Sequence, residues 1–379
     1  MKIVFVTNFM SHHQLGVAEI LYEHFGNGHF YFVEQEELTE ERKSLGYKDS
    51  ERPYIIKDYE EGFPKTKEII KDADAVIITY SQGVKPIKEY MKNKGIVFWY
   101  LERLYKDYKL SWTIAKYIRA RHFIKTGHNK NQYFLCASAY GEEDLRHTAP
   151  SYAKNRCFKY GYYPSFVLDP VEKRESVDFP SFLYIGRFME LKHAEYLIYA
   201  AEEFKKEGIK AHFNLVGKGP SEEELKSLVK ELGVEELVSF YPPCKASEVK
   251  NYYNKNDFFC FTSDRRDGYG STLAEAMSCG CVSLASIEPG ATNLFVKDDV
   301  NGIVFKGKED FIKKAKYCAE MFNSEKYKEI QKESLRTVKE EWNYKVAGER
   351  LCKILENVIN KKETNIYNDG PLATMNYIK

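Results

Sequence analysis

The feature that most constrains this chain is a rhythm: short apolar runs rich in β-branched and aromatic residues alternate with amphipathic segments, in two successive series. In the first series the runs lie at 2–7, 75–79, 96–100, 133–137 and 157–160, with helical patterns near 16–25 and 84–92. In the second they lie at 182–185, 211–216, 238–241, 258–262 and 282–285. The helical patterns between and after these fall at 194–207, 221–232, 246–253, 273–278 and 309–322. Continuous apolar strands interleaved with helices predict α/β architecture with parallel, doubly wound sheets, buried on both faces. The rhythm pauses at 164–180, a stretch between two prolines with no sustained period, which reads as a linker. Two domains follow, 1–165 and 179–359. A helical pattern at 346–359 could return toward the first half, and the polar segment 360–379 is expected to pack back on it.

The length of 379 residues agrees with two cores rather than one. A 43% apolar and 30% charged composition excludes wholesale disorder. A formal charge of +1 leaves no global field to recruit nucleic acid, so an anionic ligand must be held by a local site. The eight cysteines have no zinc or redox spacing, and Cys279-Gly-Cys281 lacks the two-residue gap of such motifs. They read as small buried hydrophobes of a reducing compartment. No apolar stretch approaches the ~20 residues that cross a bilayer, so the expectation is a cytoplasmic protein, or one peripheral on the inner face of the plasma membrane.

Two constellations carry chemistry. The richer is 263–280, SDRRDGYGSTLAEAMSCG, which follows a strand and opens a helix near Ser271 or Thr272. Gly268 and Gly270 let the backbone bend, and the helix start adds partial positive charge, which together cradle an anion or sugar hydroxyls. Glu275 lies on an otherwise apolar helix, where a carboxylate needs a partner; vicinal ribose hydroxyls would suit it. Asp267, at the entrance, reads by itself as an ordinary turn former before glycine. The second constellation, YIGRFMELKH, places Arg187 and Lys192 after a strand and Gly186. A planar guanidinium and a mobile ammonium suit a diphosphate, although basic residues in such a place are more often merely solvated.

These residues, with Gly217-Lys-Gly219-Pro220 between them in order, resemble retaining glycosyltransferases of the GT-B fold, family 4 in the usual classification. The resemblance covers roughly 181–305. It implies two Rossmann-like domains facing across a cleft, and transfer of a sugar from a nucleotide-diphosphate sugar to a hydroxyl of a glycan, lipid-linked or small-molecule acceptor. Bacterial surface polysaccharide assembly is the implied setting. It implies that Arg187 and Lys192 hold the diphosphate, with Gly186 at the turn, that Glu275 holds the ribose, and that Asp267 faces the transferred sugar. Gly268, Tyr269, Gly270, Ser271 and Thr272 would line the donor, and Gly217 and Lys245 the base. No cofactor and no metal is expected. Two departures stand out: the family's first acidic residue is usually Glu where this chain has Asp267, and its frequent proline after the second glycine is here Cys281.

The first half is less diagnostic. His13, Gln14 and Gly16 lie in the polar stretch after the first strand, and offer either acceptor contacts or a helix cap. A single glycine stands there in place of the family's common pair. Glu102 and Arg103 stand where the family often has a cleft-facing histidine; Glu102 could take the acceptor proton, or the two could simply pair. Asp72-Ala-Asp74 has the spacing of a metal motif but precedes a strand, which argues against a metal. Between Arg103 and Lys130 eight basic residues face one acidic residue, interleaved with aromatics. Such a stretch suits an anionic membrane surface, an anionic acceptor or a solvated helix face. Epimerisation of a nucleotide sugar, or nucleotide-sugar binding without catalysis, remain the rival readings.

Overall fold

The computed structural model describes residues 1–44, 51–79, 84–105, 110–170, 178–245 and 248–375. Two compact units divide it, one built on Met1–Lys43, Tyr47–Ser165 and Trp342–Lys379, the other on Phe166–Glu341.

The first unit runs β1 (Ile3–Thr7), α1 (His12–Phe25), β2 (Phe30–Glu34), α2 (Glu40–Ser44), β3 (Ile55–Lys57), α3 (Pro64–Ile70) and β4 (Ala75–Thr79). It continues with α4 (Val84–Lys92), β5 (Ile96–Leu101), α5 (Leu110–Ile124), β6 (Gln132–Cys136), α6 (Gly141–Thr148), α7 (Pro150–Ala153) and β7 (Cys157–Lys159). Its strands form one seven-stranded sheet in the order β3-β2-β1-β4-β5-β6-β7, every pairing parallel.

The second unit runs β8 (Ser181–Ile185), α8 (Glu195–Glu207), β9 (His212–Val216), α9 (Glu222–Glu231), β10 (Val238–Tyr241), α10 (Val249–Asn254) and β11 (Phe258–Phe261). Then come α11 (Thr272–Ser278), β12 (Val282–Ser286), α12 (Thr292–Phe295), β13 (Ile303–Phe305), α13 (Gly307–Met321) and α14 (Glu325–Arg336). Its sheet has six parallel strands in the order β10-β9-β8-β11-β12-β13.

Both sheets are thus parallel and doubly wound, as the rhythm predicts. Each reverses its winding beside its first strand, at β1/β4 and β8/β11, where the carboxyl ends of parallel strands open a crevice for ligands. The aromatic richness of the chain serves these sheets. Parallel register sets Phe182 beside both Phe213 and Phe258, and the rings stack with centroids 5.0 Å apart in each pair. Phe98 and Tyr133 do the same in the first sheet.

The second unit ends at Glu341, so the expected boundary at 359 moves. The last helix, α15 (Tyr344–Ile359), belongs to the first unit and lies along α1. The two backbones come close because each offers a glycine to the other. A Cβ on Gly16 would stand 2.5 Å from Tyr344 Cγ, and one on Gly348 would stand 2.8 Å from Ile20 Cβ. Beyond α15 the chain pairs with β7, with Leu372 N donating to the Lys159 carbonyl at 2.8 Å and Met375 N to that of Cys157 at 2.8 Å. Of the linker expected at 164–180, residues 171–177 lie outside the described residues.

Candidate functional site

In the second unit the sequence-predicted donor residues gather at the carboxyl ends of neighbouring strands. Gly186 and Arg187 leave β8, Gly217 leaves β9, Lys245 follows β10, and Asp267 to Thr272 lead from β11 into α11. The turns after β8 and β9 are joined by backbone bonds: Gly186 N to the Val216 carbonyl at 3.0 Å and Phe188 N to that of Lys218 at 2.9 Å. Gly217, at φ +151, is required there, because a Cβ would lie 1.9 Å from the Gly186 carbonyl oxygen. Tyr184 fixes the same turn by donating its hydroxyl to the Arg187 carbonyl at 2.9 Å. The Arg187 side chain is exposed and makes no hydrogen bond or ion pair among the described residues.

Lys192 does not stand alone. Its Nζ lies 2.5 Å from Asp267 Oδ2, bringing together two residues 75 positions apart, both largely covered. Thr262 holds the lysine's backbone, its hydroxyl donating to the Lys192 carbonyl at 2.6 Å. Next in the chain, His193 takes φ +48, a left-handed conformation unusual for a residue other than glycine. Its Nδ1 lies 2.8 Å from Glu195 and its Nε2 3.4 Å from Asp264. Bonds to Asp264 and then Glu195 raise the imidazole pKa to about 9 against the effect of burial. Burial opposes the charge on Asp264, but the bonds from His193 and Arg266 outweigh it and bring its pKa down to about 2. Arg266 closes the chain of charges, 2.7 Å from Asp264.

Glu275 is 5% exposed on α11. The partner its burial demands includes Tyr253 of α10, whose hydroxyl donates to Oε2 at 3.1 Å. Burial first, and then the carboxylate beside it, push the Tyr253 pKa well above the usual tyrosine value, so this hydroxyl stays a donor. Cys281 supports α10, its Sγ facing the carbonyls of Tyr253 at 3.2 Å and Asn256 at 3.3 Å. Tyr253 lies outside the glycine-marked loops, and His193, the last residue of the second constellation, carries no role in the sequence reading.

Some expectations change. The helix after β11 begins at Thr272, but Ser271 makes no side-chain cap bond. Tyr269 is 2% exposed, so its ring is core rather than part of a donor-facing surface. Lys245 is exposed, and its amide donates to Glu248 at 3.3 Å; its side chain makes no hydrogen bond or ion pair among the described residues.

In the first unit more is corrected. The helix α1 begins at His12, four residues earlier than the pattern suggested, through a capping box between Ser11 and Gln14. Gln14 is therefore a cap, with Ser11 N donating to Oε1 at 3.3 Å, and not a free ligand group. Gly16 is a packing residue against Tyr344. Arg103 does not pair with Glu102; it lies 3.4 Å from buried Asp144 and over the Tyr140 ring at 4.6 Å. Glu102 instead accepts from the Tyr162 hydroxyl at 3.0 Å. Tyr162 also faces His13, their ring centroids 6.1 Å apart, so His13 and Glu102 come together through a tyrosine the sequence did not single out. Asp74 accepts from Lys2 N at 2.7 Å, a strand-entry bond.

The chain is similar to known proteins in sequence and in fold. Residues 169–338 match the family model described as Glycosyl transferases group 1. Over 132 residues the chain is 30% identical to a D-inositol 3-phosphate glycosyltransferase of Xylanimonas cellulosilytica, covering 35% of this chain and 31% of that protein. It is 22% identical over 325 residues to the UDP-N-acetylglucosamine–peptide N-acetylglucosaminyltransferase GtfA subunit of Streptococcus pneumoniae, covering 83% of this chain and 57% of that one. The matches thus span from 31% to 57% of the length of these two relatives. Among solved structures, Anabaena HepE in complex with UDP is similar with a TM-score of 0.69 at 14% identity, covering 94% of this chain and 100% of that chain. Residues 169–338, within the second unit, are thus similar to the glycosyl transferases group 1 family, in a chain that carries the GT-B fold.

Proposed function

We propose that this protein transfers a sugar from a nucleotide-diphosphate sugar, with uridine as the base, to a hydroxyl acceptor with retention at the anomeric carbon. The observation that carries the reading is the Lys192–Asp267 pair at 2.5 Å, set at the carboxyl ends of the strands with buried Glu275 on the helix that follows. The UDP named with the HepE structure supports uridine.

In this reading Glu275, oriented by Tyr253, accepts from the ribose hydroxyls. Arg187 and Lys192 take the diphosphate, and a phosphate oxygen competes with Asp267 for the lysine. Asp267, freed in part, accepts from hydroxyls of the sugar. As the anomeric C–O bond breaks, its electron pair goes to the diphosphate, whose growing charge the two cations stabilise. The acceptor oxygen bonds to the same carbon from the same face, and its proton passes to the leaving phosphate. His13 and Glu102 are proposed to position that acceptor, a glycan, lipid-linked or small-molecule hydroxyl. No metal and no cofactor enters the scheme. Bacterial surface polysaccharide assembly, in the cytoplasm, is the setting that family analogy supports.

The test is release of UDP from a panel of UDP-sugars, with and without acceptors, followed by the anomeric configuration of the product. Lys192→Ala and Glu275→Ala are expected to lower turnover by roughly 100-fold or more with folding intact. Wild-type rates in either variant refute the site. Donor interconversion without an acceptor would indicate epimerisation, and tight binding without turnover a sensor.

A further inference from the structure

The basic stretch noted in the sequence leaves a surface that the donor site does not use. On α5, one side is buried: Ala120 is 2%, Phe123 8% and Ile124 3% exposed. At 100° per residue the opposite side carries Ile114, Ile118, Arg121, His122 and Lys125. Ile114 is 50% and Ile118 60% exposed, an apolar pair one turn apart that packs on no core. Lys106 and Lys109, and the side chains of Trp112 and Lys116, lie outside the described residues.

Beside this face runs a groove of about 660 Å³ between α4 and α5, lined by Lys88, Lys92, Ile118, Arg121, His122, Lys125 and the turn 126–128. None of these residues is acidic. Lys88 lies over the Phe123 ring at 5.9 Å and Arg121 donates to the Thr148 carbonyl at 2.8 Å, so two of the cations are held to the unit rather than swinging free.

We propose that this face, with Ile114 and Ile118 as the apolar element and Lys88, Lys92, Arg121 and Lys125 as the cations, docks the first unit on a bilayer carrying anionic phosphodiester headgroups. Cations of one sign around an apolar pair match the headgroup and upper acyl layers of such a surface. Two alternatives fit less well. A second copy using the same face would bring like charges together, and a soluble polyanion gives the isoleucines nothing to bury. No helix of the described residues is long and apolar enough to cross a membrane, so α5 would lie on the surface. The proposal goes beyond the donor chemistry and is read without turnover.

The full chain is sedimented with vesicles of phosphatidylcholine alone and with added phosphatidylglycerol. Binding is expected only with the anionic lipid and is expected to weaken as salt rises. Ile114→Ser with Ile118→Ser, and separately Lys88→Ser with Lys92→Ser, should each weaken it by roughly tenfold or more. Thermal unfolding should be unchanged, since all four side chains are exposed. Failure to bind anionic vesicles, or binding by either variant as tight as that of the unaltered chain, overturns the proposal. So does tight binding of inorganic polyphosphate that loses affinity with the lysines but not with the isoleucines.

Discussion

At the scale of single residues, the chemistry of the second unit depends on groups that support its obvious ligands. His193 holds the turn carrying Lys192 in a left-handed conformation, clamped by Glu195 and Asp264. Because its folded pKa is raised from 6.5 to about 9, the clamp contributes fully below the lower value and is lost as pH rises through the upper one. His193→Asn keeps a residue that tolerates this backbone but removes the charge. Urea unfolding at pH 6 should show the variant less stable by about 1 kcal/mol, with solvent screening allowed for. The gap should close near pH 10, and a gap of equal size at both pH values would refute the account. The family resemblance pointed to Lys192 and Asp267, and an otherwise apolar helix to Glu275, but neither pointed to His193 or Tyr253. Their roles depend on carboxylates brought to them by other elements, and no local pattern marks that.

At the scale of elements, the joined turns after β8 and β9 set the positions of Gly186 and Arg187. Gly217→Ala puts a Cβ against the Gly186 carbonyl, so one turn must move. A loss of roughly 2 kcal/mol in stability is expected, by thermal or urea unfolding, together with weaker binding of UDP. Unchanged affinity would show that these turns do not shape the donor site. Element types were largely legible: strands at Ala75–Thr79 and Val238–Tyr241 form where the apolar runs fall. The early start of α1 was not legible, because Ser11 and Gln14 close a capping box within a stretch whose polarity reads as loop.

At the scale of the whole molecule, the first unit is completed by the end of the chain. The helix α15 buries Ala347, Leu351, Cys352, Ile354, Leu355 and Val358. At roughly 1.5–3 kcal/mol for each of the four large ones, their loss is about 6–12 kcal/mol, comparable with the whole stability of an ordinary domain. A chain ending at Glu341 is expected to give a first unit that a protease digests, while a resistant fragment of the second unit persists. Equal resistance of both units would contradict the division.

The sequence by itself determined the α/β class, the parallel sheets and the ordered loops that carry Arg187, Lys192, Asp267 and Glu275. These follow from periodicity and from glycine placement, which are properties of neighbours in the chain. Only the tertiary structure decided that α15 serves the first unit, that Gln14 and Gly16 cap and pack, that Arg103 turns to Asp144, and that Lys192 meets Asp267. An amphipathic face or a buried charge announces that it needs a partner. Which partner it finds is settled by long-range packing, and the local pattern holds no record of that choice.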